Sequence, residues 1–498
     1  MLIPSTLIAA AALYALTLLP ACRPAVPGAN ANSNANAEAT TGELFNEPLP
    51  PADQGDDALA AARRQDHQNR QADGALPNMP PQEHMRRAAI YLANRAFDEA
   101  REHWTTLVAR YPTDANVPAA LFGIGRSFYV ERRYDGALPF FERLGRDFAQ
   151  QKEGREGFYY TAATILRLGR PADAATRYLE YAAKYPAGER IENAYLNAID
   201  SWREAGRNDL ALEWINCTRE KYRGKPTDTN ALFARLRLEI ASADWQSAIK
   251  TADELRGQTF TPAVSTTPSE VAYLKAYALE RSKQESQAGA GFQSIADRAS
   301  SYYGWQATEH LQKLGGTWKR GAAARAAAAK REAEASPANY PAPNADVILR
   351  AVRGKDVDPR FVLSIMRQES GFNPRARSQA GARGLLQMTI DMANKYAARA
   401  GLKNVTEDDL YRPEVNIAVG VAYLSELFKM FPDLPEAVAA SYNGGEDNVA
   451  RWVRRAVQKD NGVFTSEIGF SESKDYAMKV MANYRAYQQL YTSDLRRR

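Results

Sequence analysis

Apolar residues change their rhythm several times along this chain, and each rhythm predicts a different element. Residues 2–19, LIPSTLIAAAALYALTLL, carry no charge. An apolar run ending in small residues has the form of a secretory signal, here spanning 1–22. Residues 23–80 lose the apolar pattern and fill with Ala, Asn, Pro, Asp and Gln, as in PGANANSNANAEATTG and EPLPPADQGDDA. Such a stretch cannot bury enough apolar surface to offset its chain entropy, which predicts a disordered tether. Helical spacing then runs from 81 to 316 with an internal repeat. Ala100, Ala137, Ala174, Ala211 and Ala248 stand 37 residues apart, and Tyr111, Phe148, Tyr185 and Tyr222 keep the same period. Two tracks in one register predict a repeated helix pair, with alanine where helices approach closely and an aromatic ending the second helix. SYYGWQATEHLQKLGG, residues 301–316, adds one more helix and a Gly-Gly stop. The Ala- and charge-rich stretch 317–344 reads as a helical linker ending in Pro and Asn. A compact domain, 345–498, follows.

Within that last domain, VDPRFVLSIMRQESG predicts a sharply bounded helix. Asp358 is a good N-cap, Pro359 suits the first helical position and Gly371 falls just past the end. Phe361, Ile365 and Glu369 are four residues apart, so the acid shares an apolar face. Desolvation there disfavours the anion, and the last turn of a helix is its negative end. Both effects predict a raised pKa for Glu369, as a general acid working near neutral pH requires. The bland alternative is a glutamate snorkelling at a helix rim.

The inventory of side chains narrows the chemistry. All four histidines and both cysteines precede residue 345, so the last domain lacks a Ser-His or Cys-His pair and any thiolate or imidazole metal ligand. No phosphate loop or GxGxxG fingerprint is present, and no cofactor is expected. The formal charge of +5 over 498 residues favours an acidic polymer or a membrane surface. No RNA- or DNA-binding motif accompanies it, so nucleic acid is not an expected partner. Cys217 lies in LEWINCTREKY, a helical context that predicts a buried thiol.

Several stretches resemble known families. LPAC, ending at Cys22, is similar to the lipobox of bacterial lipoproteins, which makes Cys22 a candidate lipidation site and implies a membrane tether; plain secretion and an uncleaved anchor remain alternatives. The 37-residue unit resembles tetratricopeptide-like repeats, slightly lengthened. Stacked pairs form a superhelix whose concave face often binds partners, here an envelope protein, although a pure scaffold is equally consistent. ESGFNPRARSQAGARGLLQ, NIAVGVAYL, AASYNGG and IGFSESKDYAMKVMANY closely resemble, in order, the motifs of the soluble lytic transglycosylase family. That family's fold is similar to goose-type lysozyme.

The resemblance implies an all-α protein, a tetratricopeptide-like superhelix followed by a lysozyme-like catalytic domain, in the cell envelope and periplasm at the outer membrane. Its implied activity is cleavage of the β-1,4 bond between N-acetylmuramic acid and N-acetylglucosamine in peptidoglycan strands, leaving 1,6-anhydro ends. Glu369 takes the place of the catalytic acid. Ser378 and Gln387 match residues lining the cleft, and Tyr423, Tyr442 and Asn443 match sugar contacts. Glu472 matches an acid deeper in the cleft. Tyr423 also reads as a core aromatic, and Glu472 as a helix N-terminal charge. Arg375, Arg377 and Arg383 read as solvated loop charges more readily than as substrate contacts, and Trp452, Tyr484 and Tyr487 as core. The stretch MTIDMA departs from the family's usual Met-Pro turn, so no contact is carried over there. Two other readings stay open: a water-using muramidase helped by Asp391 or Glu446, and a scaffold lipoprotein whose last domain only grips glycan.

Overall fold

Repeated helix pairs form a curved stack, and the C-terminal domain is seated against it. The computed structural model describes residues 55–498. The first repeat pairs Pro81–Ala93 with Phe97–Arg110, the second Val117–Val130 with Tyr134–Asp147, and the third Lys152–Arg167 with Pro171–Lys184. Ile191–Glu204 with Asn208–Lys221 and Pro226–Ala241 with Trp245–Arg256 continue the series. The spacing of Ala100, Ala137, Ala174, Ala211 and Ala248 has a direct packing cause: all five are fully buried where a Cβ larger than a methyl would force the helices apart. Tyr111, Phe148, Tyr185 and Tyr222 each sit one residue past a second helix. The turn inside each pair needs one residue in the left-handed region. Arg95, Arg132, Gly169, Gly206 and Ala243 fill it, with φ of 60°, 62°, 77°, 71° and 57°.

Two expectations about connecting segments are corrected. Residues 1–54, including the signal, Cys22 and most of the tether, lie outside the described residues, but the rest of the tether is folded. Asp56–Asn69 is a helix docked on the first repeat. Composition understates it because charge adds to the small apolar face of Leu59 and Ala62: buried Asp66 accepts hydrogen bonds from Arg87 and Tyr91 and pairs with His103. The linker is likewise a packed element. Gly316–Glu334 buries Ala322, Ala329 and Ala333 against the helices Tyr302–Leu314 and Ser471–Leu490. Cys217 is buried, as its context predicts.

The C-terminal domain builds its core from Pro359–Ser370, Pro413–Met430, Pro435–Gly444 and Ser471–Leu490. Trp452 and Tyr487 are buried in it, and Tyr484 packs on Phe361, as core residues should. Charged contacts tie this domain to the stack along its length. Arg451 reaches Glu204 in two 2.7 Å bonds, Lys474 reaches Glu270 at 3.0 Å and Arg485 reaches Asp297 at 2.6 Å. The stack therefore continues the surface of the C-terminal domain rather than forming a separate arm.

Candidate active site

The helix that carries Glu369 forms as its sequence predicts. The Asp358 carboxylate accepts the Arg360 N–H at 2.8 Å, Pro359 opens the helix, and Gly371 closes it in the left-handed region. Phe361, Val362, Ile365 and Met366 are fully buried, which fixes the rotation that turns the last-turn acid inward. Glu369 is half-buried, and its Oε1 accepts a hydrogen bond from the Tyr476 hydroxyl at 2.6 Å. Desolvation pushes its pKa up to about 7; the Tyr476 bond opposes this, and the charge of Glu472 adds to it.

Tyr476 is a residue that the sequence reading did not single out. The signal was available: Tyr476 follows Glu472 by four residues on the helix Ser471–Leu490, so the two share a face. Because the tyrosine hydroxyl favours the anion, Tyr476→Phe should move the Glu369 titration to higher pH, by about one pH unit for a charge-assisted bond. Carbon NMR of the Glu369 carboxyl reads this, and an unchanged midpoint would show that the bond does not tune the acid.

The loop after the helix is pinned beside the acid. Ser370 donates to the Leu385 carbonyl at 2.8 Å. Asn416, fully buried, accepts the Leu386 N–H and donates to the carbonyls of Arg383 and Leu410, all at 2.8 Å. Gly384 has φ of 78°, and a Cβ there would meet the Leu410 carbonyl at 2.2 Å, so only glycine fits. Gln387 donates to the carbonyls of Ala376 and Gly384 at 3.1 and 3.0 Å while its flank lines the groove. Ser378 is used differently from the expectation. Its hydroxyl accepts the Ala382 N–H at 3.0 Å inside the loop, and it is not among the residues that line the groove.

The loop arginines also differ. Arg375 is solvated, but Arg383 is fully buried and bonds Asp56, and Arg377 bonds Asn94 at 2.7 Å. A helix starts within MTIDMA and runs Ile390–Tyr396, with Thr389 at its N-cap.

Two tyrosines stack along the wall. Tyr442 donates to the Leu386 carbonyl at 2.7 Å, and its ring lies 5.4 Å from that of Tyr423. Tyr423 is 5% exposed, with Tyr396 behind it, so it backs Tyr442 as well as bordering the groove. Asn443 is exposed and donates to Glu472 at 3.4 Å. Glu472 is exposed in the first turn of its helix, at the groove's rim rather than deep within it, which corrects the expectation of a floor contact.

A groove of about 600 Å³ runs along these side chains. One wall is Gln387, Tyr442, Asn443 and Glu472; the other comes from the repeat turn with Tyr129 and Tyr134. Glu369 is not a lining residue of this space, but it lies within electrostatic reach of Tyr442 and Glu472, which are. The other two acids weighed from sequence are engaged elsewhere. Asp391 is held by Arg95 at 2.7 and 2.8 Å, and Glu446 by Arg132 at 2.7 Å. Burial raises each carboxyl's pKa, yet the paired guanidinium wins and holds it below the usual range. One acid thus retains a proton near neutrality while its neighbours are fixed as anions.

A carboxylic acid whose pKa is raised to about 7, next to a long groove in an all-helical domain, is suited to giving a proton to a bound polymer. Residues 346–464 match the family model described as Transglycosylase SLT domain; the match takes in the first three of the four motifs and ends before IGFSESKDYAMKVMANY. Over 141 residues the chain is 37% identical to a Haemophilus influenzae relative, covering 28% of this chain and 24% of that protein. Over 150 residues it is 32% identical to the soluble lytic murein transglycosylase of Salmonella typhimurium, covering 30% of this chain and 23% of that protein. The alignments thus span about a quarter of the length of the curated relatives. Among solved structures, the lytic transglycosylase Slt of Pseudomonas aeruginosa aligns with a TM-score of 0.47 and 16% identity, over 86% of this chain and 84% of that one.

Proposed function

We propose that this protein is a peptidoglycan lytic transglycosylase. It cleaves the β-1,4 bond between N-acetylmuramic acid and N-acetylglucosamine without water and leaves 1,6-anhydro ends. The observation that carries this reading is the inward placement of Glu369 at the end of its apolar helix face, where burial pushes its pKa up to about 7, in a domain that matches the transglycosylase SLT model. Glu369 gives its proton to the glycosidic oxygen as the C1–O bond breaks. The C6 hydroxyl of the muramic acid then attacks C1, and its proton returns to the Glu369 carboxylate. An internal hydroxyl has a high effective concentration, so no second carboxylate is needed.

The arginine pairing of Asp391 and Glu446 supports this over the muramidase alternative. A carboxylate whose lone pairs are taken by a guanidinium is a poor base for water. Tyr442, Asn443, Gln387 and Glu472 contact the sugars in this reading, and Tyr476 sets the acid's pKa. The enzyme works in the cell envelope, on the periplasmic side of the outer membrane, tethered by a lipid on Cys22, with the repeat stack free to engage an envelope protein. Mass spectrometry of muropeptides released by the purified protein tests the chemistry. Anhydro-muramic ends are expected; a product set with only reducing ends would replace the transglycosylase by a muramidase.

A further inference from the structure

The helix Asp56–Asn69 lies outside both the repeat series and the C-terminal domain, yet its first residue reaches the loop beside Glu369. The Asp56 carboxylate pairs with Nη2 of Arg383, whose Nε lies 3.5 Å from the second oxygen. The Tyr411 hydroxyl donates to that second oxygen at 2.9 Å, and Arg377 Nε lies 3.4 Å from the first. Burial pushes the Asp56 carboxyl up, but Arg383, Tyr411 and Arg377 together outweigh it and hold the group below the usual carboxylate range. Asp56 is the one carboxylate that Arg383 meets among the described residues. The other acceptors of this guanidinium are neutral: the Gly381 carbonyl at 2.5 Å and the Asn94 amide oxygen at 3.4 Å.

Arg383 is the root of the loop. Its N–H donates to the Met388 carbonyl at 2.9 Å, and its carbonyl accepts the Met388 N–H at 3.0 Å, which closes residues 384–387 into a hairpin tip. What the loop offers the site hangs on that tip. The Leu385 carbonyl holds Ser370, next to Glu369; the Leu386 carbonyl holds the Tyr442 hydroxyl; and Gln387 lines the groove. Gln387 has φ of 46°, so the tip is kept in a conformation that a side chain seldom adopts unless its surroundings impose it. A fully buried guanidinium stripped of its anion is strongly disfavoured, and it gains water only by moving outwards. Such a movement shifts the tip, because two backbone bonds tie root and tip together.

We propose that Asp56 is a positioning residue for the active site: through Arg383 it fixes the loop 383–388, and with it the groove wall of Gln387 and Tyr442. The helix Asp56–Asn69 is thus a clip on the active-site loop, supplied from 327 positions earlier in the chain. The same helix buries Leu59 and Ala62 and sends Arg63 to Glu407 at 3.3 Å, a second link to the C-terminal domain. The proposal rests on the proposed activity for what the loop does, but not for the coupling between Asp56 and the loop.

The test is run on the full-length protein, on Asp56→Asn, Asp56→Glu, Arg383→Gln and Arg63→Gln, and on the double variant Asp56→Asn with Arg383→Gln. Each is assayed at a temperature where circular dichroism shows it folded. Two readouts are taken: kcat and KM for muropeptide release, and amide hydrogen exchange at Arg383 and Met388. Asp56→Asn should lower kcat by about tenfold to 10²-fold, the scale of a misplaced contact, with KM changing less. Its Arg383 and Met388 amides should exchange faster. Asp56→Glu keeps the charge and should recover part of both. The double variant should be no slower than Asp56→Asn, because both single changes break the same link. Arg63→Gln cuts the helix's other link and should keep the parent kcat. An Asp56→Asn protein that turns over like the parent overturns the proposal. So do single effects that multiply in the double variant, or a loss in Arg63→Gln as large as that in Asp56→Asn. If the parent releases no fragments while exchange still quickens in Asp56→Asn, the proposed activity fails and the clip stands. If the parent releases them and neither readout responds, the clip alone fails.

Discussion

Glu369→Gln should release glycan fragments about 10²–10⁴-fold more slowly than the parent protein, the usual contribution of a positioned acid. The amide is nearly isosteric and can still accept the Tyr476 hydroxyl at the oxygen that now lies 2.6 Å away. It has no proton to give to a leaving oxygen. Because burial already holds the native carboxyl neutral up to about pH 7, the substitution should leave the melting temperature unchanged or raise it. The pH profile carries the same argument: the parent should lose activity as pH rises through about 7 and the acid ionises. Timed release of soluble muropeptides reads the effect, and a variant as fast as the parent would remove Glu369 from the mechanism.

Glu467→Ala should cost about 3–5 kcal/mol of stability, the range for stripping one partner from a buried ion pair. Glu467 is 2% exposed and bonds Arg203 at 2.5 Å, with Arg455 and Arg237 at 3.4 and 3.5 Å. Asp200 supplies the second anion to the same three arginines, at 3.0, 3.4 and 3.7 Å. Three guanidinium groups and two carboxylates already carry an excess of positive charge, so losing one carboxylate leaves like charges facing each other out of water. Burial raises the Glu467 pKa, but the three arginines outweigh it and hold the group below the usual carboxylate range. Its stabilisation is therefore complete above the ordinary glutamate pKa and lost as pH falls through the lowered folded value. Denaturant unfolding at neutral pH measures the loss; a midpoint within error of the parent would mean that the cluster is not what holds the domain to the stack.

These two residues mark what a single sequence does and does not disclose. Glu369 was legible because everything that defines it is local: a cap, a proline, an apolar stripe and a terminating glycine within 14 residues. The repeat was legible for a similar reason, since close helix approach imposes alanine at a fixed period. Glu467 was not, because its partner Arg203 lies 264 positions away and no periodic pattern links them. Asp56 and Asp66 were hidden by a different cause. Composition counts apolar area, whereas that helix buries only a little of it and is held also by carboxylates meeting Arg383, Arg87 and His103. Ser378 and Glu472 were placed by motif, and a motif fixes position along the loop without fixing which way a hydroxyl or carboxylate turns. Tyr476 lay within a quoted motif but drew no attention, because its importance comes from an acid on another helix.

The five left-handed turn residues, from Arg95 to Ala243, are spaced as evenly as the marks on a ruler. Two of the three that are not glycine are arginines, although a side chain in that conformation costs about 1–2 kcal/mol. Their side chains explain the exception, since each spans to a carboxylate on the far body at 2.7 Å. A version of this protein with one repeat deleted or added would still stack, yet it would present those guanidinium groups to empty solvent. The number of repeats is therefore not free to drift as it is in most solenoids; it is set by where the C-terminal domain holds those two carboxylates.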